Sequence, residues 1–194
     1  FYEGELVPHE SVRHHTLADL VTTTSDSSIA EDLWFLEPVE FIDTAGASYD
    51  EELEPDGESR QNPQEARLLV RKVRHWLEQG LSPRDIGIIA PYAAQARYLR
   101  EILRVPGLEI DTVDGFQGRE KEAIAVSLVR SNPDGEVGFL ADTRRMNVAL
   151  TRARRKLLVI GDSATLSNHP FYRRLLEYLE QKSAYHTVWE EPVD

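Results

Sequence analysis

The sequence predicts an α/β domain in which helices cover both faces of a mostly parallel β-sheet. Short apolar segments alternate along the chain with longer segments of helical periodicity, as in folds of this class. The short segments are apolar almost throughout, as expected for strands that are buried on both faces. With 194 residues, the chain is long enough for one such domain with a substantial core.

The opening of the chain, to about residue 38, has no sustained periodicity. Residues 1–38 predict an extended segment with loops, and 21–28 are rich in Ser and Thr. The domain itself is predicted over 39–194, beginning with an apolar strand at 39–44. Residues 45–61 contain six acidic side chains and predict an exposed acidic loop; a carboxylate metal cluster there is the less favoured alternative, and we predict no metal site.

A helix is predicted to begin at Asn62 and to end at Gly80. Asn62 is a good N-cap, Pro63 suits the first helical position, and Glu65 completes the spacing of a capping box. Apolar side chains follow at helical spacing and indicate a core-facing side. They are Ala66, Leu69, Val70, Val73, Trp76 and Leu77.

The remaining segments continue the alternation to the end of the chain. A helix capped by Asp142 is predicted to carry Met146, Ala149, Leu150 and Ala153 on its core side. Further strands are predicted at 86–91, 108–113, 123–131 and 156–161, further helices at 93–103 and 171–179, and an edge strand at 185–189.

The charge is unevenly distributed. The net charge of −12 argues against nucleic-acid binding, because phosphates are neutralised by Lys and Arg. However, residues 1–62 carry a net −14 and residues 63–194 a net +2. Residues 144–156 contain six basic side chains and no acidic one, which predicts a local positive field; a solvated basic face is the alternative. We expect the acidic surface to lie away from any bound nucleic acid.

Several classes of protein are excluded or disfavoured by composition. Without cysteine, the chain has no disulfide, no thiolate metal site and no cysteine nucleophile. Its apolar runs are far shorter than a membrane span, and no signal segment begins the sequence. We therefore expect a soluble intracellular protein without a membrane partner, in the cytoplasm or, in a eukaryote, the nucleus.

One polar segment, 112–122, follows a predicted strand at the place where α/β proteins bind ligands. Its two glycines permit a tight or left-handed backbone. A hydroxyl beside backbone N–H groups suits a phosphate, and a carboxylate suits the hydroxyls of a ribose. A purely structural turn explains the spacing equally well. The ligand-facing candidates are Thr112, Gln117, Arg119 and Glu120.

A second polar segment, 142–155, is rich in arginine. If it is helical, Arg145, Ala149 and Arg152 share a face at the margin of the core. The planar, permanently charged guanidinium suits a transferring phosphoryl group. A structural salt bridge to Asp or Glu is the alternative for either arginine.

Together these segments resemble a known family. TVDGFQGRE at 112–120 resembles helicase motif V, and RMNVALTRAR at 145–154 resembles motif VI. Both have the form found in superfamily 1B, in the group of the nonsense-mediated-decay and immunoglobulin mu-binding-protein helicases. The resemblance extends over most of 62–161. It includes IIAPY at 88–92 with Gln95, which resembles motif IVa, and the link VRSN at 129–132 followed by GEVGFL at 135–140.

The resemblance implies a three-layer RecA-like domain of the P-loop NTPase type, namely the second motor domain of a helicase. Arg152 then resembles the arginine finger that reaches the γ-phosphate of ATP, and Glu120 the residue that meets the ribose. Gly118, Arg119 and Arg145 would line the same ATP cleft.

The resemblance also implies a grip on single-stranded DNA or RNA. Thr112, together with Pro91 and Tyr92, resembles positions that touch the strand backbone. Gln117 would couple this grip to the ATP site. Movement along the strand would run 5′ to 3′.

Other motifs of a complete motor are absent from the 194 residues. No G-x-x-x-x-G-K-[S/T] loop occurs, nor does the family's acidic Mg²⁺-binding strand motif or its Gln-Tyr-Arg-Met element. FYEGEL at 1–6 resembles what normally follows that element. We therefore expect the chain to be part of a longer protein whose N-terminal RecA-like domain holds ATP and Mg²⁺, and we expect the chain alone to be inactive.

Two functional hypotheses follow, and the first is favoured. The chain is a catalytic half of an ATP-dependent helicase, or it is a non-catalytic adaptor for nucleic acid or protein that retains the RecA-like fold. A third hypothesis, an unrelated nucleotide-binding α/β protein, is disfavoured because the glycine fingerprint of dinucleotide binders is absent.

Overall fold

The computed structural model describes Glu10 and residues 14–21, 33–55 and 57–191. The strands are β1 Val39–Asp43, β2 Glu52–Leu53, β3 Arg60–Gln61, β4 Ile86–Ala90, β5 Glu109–Thr112, β6 Lys121–Ser127, β7 Ala153–Gly161 and β8 Tyr185–Thr187. The helices are α1 Leu33–Leu36, α2 Pro63–Glu78, α3 Ala93–Ile102, α4 Thr143–Leu150, α5 Ser163–Leu166 and α6 Pro170–Gln181. Single 3₁₀ turns lie at Leu17–Leu20, Pro83–Asp85, Gly138–Ala141 and Val188–Glu190.

Six strands form one sheet in the order β5-β4-β6-β7-β1-β8, and every neighbouring pair is parallel. Strands β2 and β3 form a separate antiparallel hairpin. Since the six strands run the same way, all of them end at one edge, here called the carboxyl edge, and begin at the opposite amino edge. Ligands of open α/β sheets usually bind at the carboxyl edge, outside the ends of the strands.

Helices pack on both faces of the sheet, so the domain has three layers. Alternate residues of β6 show this directly, because Ala123 and Ala125 join the core under α2 and α3 whereas Ile124 and Val126 join the core under α4, α5 and α6. The predicted α/β class and mostly parallel sheet are confirmed, and the architecture is that of a RecA-like domain. Trp76 is buried in the first core, as predicted.

Helix α2 begins as predicted but is capped differently. The Asn62 side chain accepts a hydrogen bond from the backbone N–H of Glu65, and Pro63 takes the first position. The prediction that Glu65 closes a capping box is wrong, because the Glu65 carboxylate turns inward to Ser127 and Val129. The N–H of Asn62 instead donates to Gln95.

The helix capped by Asp142 is shorter than predicted. Asp142 accepts from the N–H of Arg145, as expected, but α4 ends at Leu150 and β7 begins at Ala153. The Thr151 hydroxyl donates back to the carbonyl of Asn147, and from Ala153 onward the chain pairs with β6 instead of continuing the helix. Ala153 is therefore a strand residue.

The shared helical face predicted for the two arginines is wrong for the same reason. Arg145 lies in the first turn of α4, and Arg152 lies beyond its end. Likewise, the strand predicted over 123–131 ends at Ser127, because Val129 has a positive φ of 73° that no strand accommodates.

The acidic segment 45–61 is more ordered than an exposed loop. It contains the β2–β3 hairpin, and Glu51 is buried, with 4% of its side chain exposed. The described part of 1–38 includes a 3₁₀ turn and α1, whereas residues 1–6 and 22–28 lie outside the described residues. No helix in the described part of the chain has the length and apolar character needed to cross a membrane.

Candidate functional site

The loop 113–120 carries the motif V resemblance and crosses the sheet from the carboxyl edge to the amino edge. It leaves β5 at Thr112 and enters β6 at Lys121, and it passes over β4, which lies between those strands. Phe116 anchors it and is fully buried. A Cβ atom on Gly87 would lie 2.6 Å from Cζ of Phe116, so only glycine leaves room for this ring. The contact between Phe116 and Gly87 thereby fixes the point at which the loop crosses the sheet.

At the amino edge, the loop meets the residue that follows α4. Lys121 and Ala153 are paired in register between β6 and β7, and the N–H of Lys121 donates to the carbonyl of Arg152 at 3.1 Å. Glu120 and Arg152, which precede these paired residues, therefore lie side by side. We call Gly118, Arg119, Glu120 and Arg152 the amino-edge group.

Within the described part of the chain, the Arg152 side chain is held by local contacts. Its Nε donates to the carbonyl of Val148 at 3.0 Å, and Nη2 donates to the Thr151 hydroxyl at 3.2 Å. Among the described residues no carboxylate forms an ion pair with it, whereas Arg154 and Arg155 both pair with Glu122. The guanidinium of Arg152 thus retains donors for an anion.

The other members of the amino-edge group are exposed. Gly118 has a φ of 77°, and a Cβ there would meet nothing within 4 Å, so the backbone is open to close approach. Arg119 bends back to Glu109 and Asp111 on β5. Glu120 pairs with Arg154 at 3.2 Å. Exposed ion pairs of this kind are weak and exchange readily with a ligand.

Thr112 and Tyr92 lie together at the carboxyl edge. Ala90 and Thr112 are paired in register, so Pro91 and Tyr92 follow β4 directly beside the end of β5. Thr112 and Tyr92 are partly exposed, whereas Pro91 is buried and contributes backbone rather than side-chain surface. We call Thr112, Pro91 and Tyr92 the carboxyl-edge group.

Arg145 lies apart from Arg152. Helix α4 runs opposite to the strands, so its first turn is near the carboxyl edge. There Nε of Arg145 lies 3.5 Å from carboxylate oxygens of Asp114 and Asp142, and the guanidinium stacks 4.7 Å above the Phe139 ring. Gln117 is exposed in the crossing loop, between the two edges.

A buried polar network behind the carboxyl edge was missed by sequence reasoning. Glu65 is fully buried and accepts from the Ser127 hydroxyl at 2.5 Å and from the N–H of Val129 at 3.0 Å. Burial raises the pKa of Glu65 to about 7, more than these hydrogen bonds lower it, and the nearby Asp162 adds to the rise. A glutamate on the otherwise apolar face of a helix was the available signal.

A second missed residue is Arg130, which is buried with 3% exposed. Its Nε donates to Glu51 at 2.7 Å, and Nη1 donates to the Tyr92 hydroxyl at 3.3 Å. The acidic hairpin therefore lies at the same edge as Tyr92. Its charge is partly balanced there, because Glu51 also pairs with Arg60 and Glu54 pairs with Arg97.

In the part of the chain that the structure describes, no group of three His, Asp or Glu side chains is arranged to hold a metal ion. The amino edge presents the guanidinium groups of Arg119 and Arg152 together with the carboxylate of Glu120. Such a set suits phosphate oxygens and ribose hydroxyls.

Fold and site together define a RecA-like α/β domain with polar groups at both sheet edges. The sequence matches the family described as "AAA domain" over residues 1–164, and the chain belongs to that family.

Similar proteins carry names related to DNA. Over 193 residues the chain is 45% identical to DNA-binding protein SMUBP-2 of Rattus norvegicus, an alignment covering 97% of this chain and 19% of that protein. Over 191 residues it is 39% identical to DNA polymerase alpha-associated DNA helicase A of Schizosaccharomyces pombe, covering 94% and 28%. Over 148 residues it is 42% identical to DNA replication ATP-dependent helicase/nuclease DNA2 of Homo sapiens, covering 75% and 14%. The chain thus spans less than a third of the length of these relatives.

Proposed function

We propose that this chain is the C-terminal, second RecA-like motor domain of an ATP-dependent superfamily 1B helicase. Two of the relatives described above are named helicases, and one of these names specifies ATP dependence. The proposed activity of the whole protein is translocation along single-stranded DNA or RNA from 5′ to 3′, with unwinding of the duplex ahead.

The observation that carries this proposal is the position of Glu120 and Arg152 side by side at the amino edge. A carboxylate that can accept ribose hydroxyls lies next to an arginine whose donors are not taken by a carboxylate in the described part of the chain. An adaptor that only binds a strand has no use for this pair.

In this proposal Arg152 stabilises negative charge on the γ-phosphate oxygens during transfer, because its fork stays charged and donates two parallel hydrogen bonds. Gly118 and Arg119 line the same cleft. The N-terminal RecA-like domain of the same protein holds Mg²⁺ and the β- and γ-phosphates of ATP.

The carboxyl-edge group forms part of the grip on the strand. The Thr112 hydroxyl donates to a phosphate and the Tyr92 ring lies against the backbone or a base, contacts that do not depend on base sequence. Arg145, which the resemblance assigns to the ATP cleft, packs on Phe139 and Asp114. We propose that Arg145, like Gln117, links the two groups.

The test is ATP hydrolysis by the full-length protein with and without single-stranded DNA or RNA. We expect hydrolysis that the strand stimulates, and no hydrolysis above buffer by residues 1–194 alone. Strand binding by the full-length protein without stimulated hydrolysis would favour the adaptor, and turnover by the isolated chain would show that ATP is not held by another domain.

A further inference from the structure

Arg130 is a buried arginine whose side-chain hydrogen bonds lead toward the proposed strand grip, and its Nη2 also lies 3.9 Å from a carboxylate oxygen of Glu136. Its Nε lies 2.7 Å from Glu51, with 4% of each side chain exposed. Removing such a charge from water is costly unless its hydrogen bonds are satisfied. The same guanidinium reaches the Tyr92 hydroxyl through Nη1 at 3.3 Å. Arg130 thus cannot touch a nucleic-acid strand itself, but it touches a residue that can.

Glu51 fixes the position of Arg130 through the backbone as well as through charge. Its Oε2 accepts from the N–H of Ser131 at 2.9 Å and from the Asn132 amide at 3.2 Å. The N–H of Glu51 donates to the carbonyl of Ser131 at 3.2 Å. The 130–132 segment is therefore clamped to the hairpin, and the guanidinium has little freedom to turn.

The Tyr92 hydroxyl is the junction of the arrangement. It accepts from Nη1 of Arg130 and also from the N–H of Phe139, at 3.2 Å. The centroids of the Tyr92 and Phe139 rings lie 5.9 Å apart, and the guanidinium of Arg145 lies 4.7 Å from the centroid of the Phe139 ring. One hydroxyl thereby connects the buried arginine with the segment that supports Arg145.

Gly138 shows that the space around this junction is fully used. Its φ is 52°, and an added Cβ would collide with Nη1 of Arg130 and lie 3.0 Å from the Tyr92 hydroxyl. A larger residue at 138 would displace the guanidinium. The chain thus turns tightly around Arg130. Apolar side chains of equal volume could fill the same site, because a buried ion pair often gives no net gain in stability over them.

We propose that Arg130, held by Glu51, is a positioning residue that sets the orientation of Tyr92 for strand binding and, through Phe139, the position of Arg145. This inference rests on the proposed helicase function. We therefore expect the conservative change Arg130→Lys, which keeps the charge but loses the planar guanidinium, to weaken strand binding although residue 130 does not contact the strand.

The experiment uses the full-length protein and labelled oligothymidylate and oligouridylate strands. Strand Kd, maximal strand-stimulated ATP turnover and melting temperature are measured for Arg130→Lys, Tyr92→Phe and the double variant. Each single change breaks the contact between Arg130 and Tyr92 but acts on the strand only through the orientation of Tyr92, so it should raise the strand Kd about two- to ten-fold. For Arg130→Lys, turnover at saturating strand should fall by less than the strand Kd rises, because Arg130 touches neither the strand nor the proposed ATP contacts. The double variant should bind no more weakly than the weaker single variant, because both changes break the same contact.

The matched control is Arg155→Lys, which alters a partly buried arginine that pairs with Glu122 and Asp19. It should leave strand Kd unchanged even if it lowers the melting temperature. Three outcomes would each overturn the inference. The control could lose as much strand binding as Arg130→Lys, the double variant could show the product of the two single effects, or a folded Arg130→Lys protein could have the wild-type strand Kd. If Arg130→Lys does not fold, Tyr92→Phe is the deciding variant, because it removes only one oxygen from a partly exposed side chain. A wild-type strand Kd for Tyr92→Phe would show that the Tyr92 hydroxyl does not contribute to strand binding.

The outcome for the wild-type protein separates this inference from the proposed function. If the wild-type protein binds a strand and shows stimulated hydrolysis, and Arg130→Lys has the same strand Kd, only the role of Arg130 is refuted. A full-length protein that neither binds a strand nor responds to one overturns both.

Discussion

The backbone N–H of Lys121 donates to the carbonyl of Arg152, and this bond places the end of the motif V segment beside the end of the motif VI segment. The two residues are 31 positions apart in the sequence. Because the bond continues the pairing of β6 with β7, neither segment can shift without disturbing the sheet. The proposed ATP contacts from two distant segments thus share one rigid support, as electrostatic catalysis requires.

Replacing Arg152 tests its proposed role directly. In the full-length protein, Arg152→Ala should reduce ATP turnover by about three to five orders of magnitude, as for other arginine fingers. ATP affinity should change far less, since the side chain acts on developing charge. Arg152→Lys should restore little, because an ammonium lacks the planar fork. Single-turnover hydrolysis and melting temperature are measured on the same samples.

The matched control is Arg144→Ala, because Arg144 is an exposed arginine of α4. Its turnover should stay within about two-fold of wild type, as for ordinary surface changes. If Arg152→Ala instead lowers the melting temperature and keeps its turnover, Arg152 is a structural residue.

Thr112 tests the carboxyl-edge grip. Thr112→Ala should weaken single-strand binding by about 1.5–3 kcal/mol, the value of a hydrogen bond to a charged acceptor. The hydroxyl also accepts from the N–H of Gly115, so Thr112→Ser, which retains both bonds, is the control and should bind nearly as wild type. ATP affinity should be almost unchanged in both. A loss of ATP affinity with normal strand binding would assign Thr112 to the other edge.

Gly87 tests how the crossing loop is held. Gly87→Ala places a methyl group against the Phe116 ring and should destabilise the domain by about 1–3 kcal/mol. Phe116→Leu shortens the opposing side chain, so the double variant should lose less stability than the two single changes added together. Denaturant unfolding of the isolated chain measures this. Strictly additive losses would mean that the two residues do not compete for space.

The elements built from local periodicity could be predicted from the sequence. The α2 helix has its cap, its first-turn proline and its apolar spacing within one segment, and β4 is a short apolar run between polar turns. Each pattern depends on neighbours in the chain, so no tertiary information was needed.

The errors arose where distant residues decide the local structure. Helical periodicity continues through Arg152, but pairing with Lys121 draws the chain into β7. Glu51 resembles its exposed acidic neighbours, but its partner Arg130 lies 79 residues away. Nothing in the acidic segment itself distinguishes Glu51 from its exposed neighbours, because the difference is the presence of a distant arginine.

The burial of Glu65 was missed for the same reason, because its capping-box spacing says nothing about its distant partners Ser127 and Val129. Its carboxylate is buried with one oxygen, Oε2, that has no hydrogen-bond partner in the structure. An amide in its place would keep the accepting oxygen toward Ser127 and Val129 and would carry no charge. The domain should therefore tolerate Glu65→Gln well.

Stability should fall with rising pH because of Glu65. Burial raises the pKa of Glu65 from 4.5 to about 7 in the folded chain, so between these values the folded state binds more protons than the unfolded state. This contribution is complete below pH 4.5 and is lost as pH rises through about 7, amounting to about 3 kcal/mol. Glu65→Gln should remove this slope and be more stable than wild type at pH 8, whereas the exposed Glu58→Gln should keep it. Urea unfolding of the three proteins across this pH range is the measurement; an unchanged slope in Glu65→Gln would show that Glu65 does not titrate there.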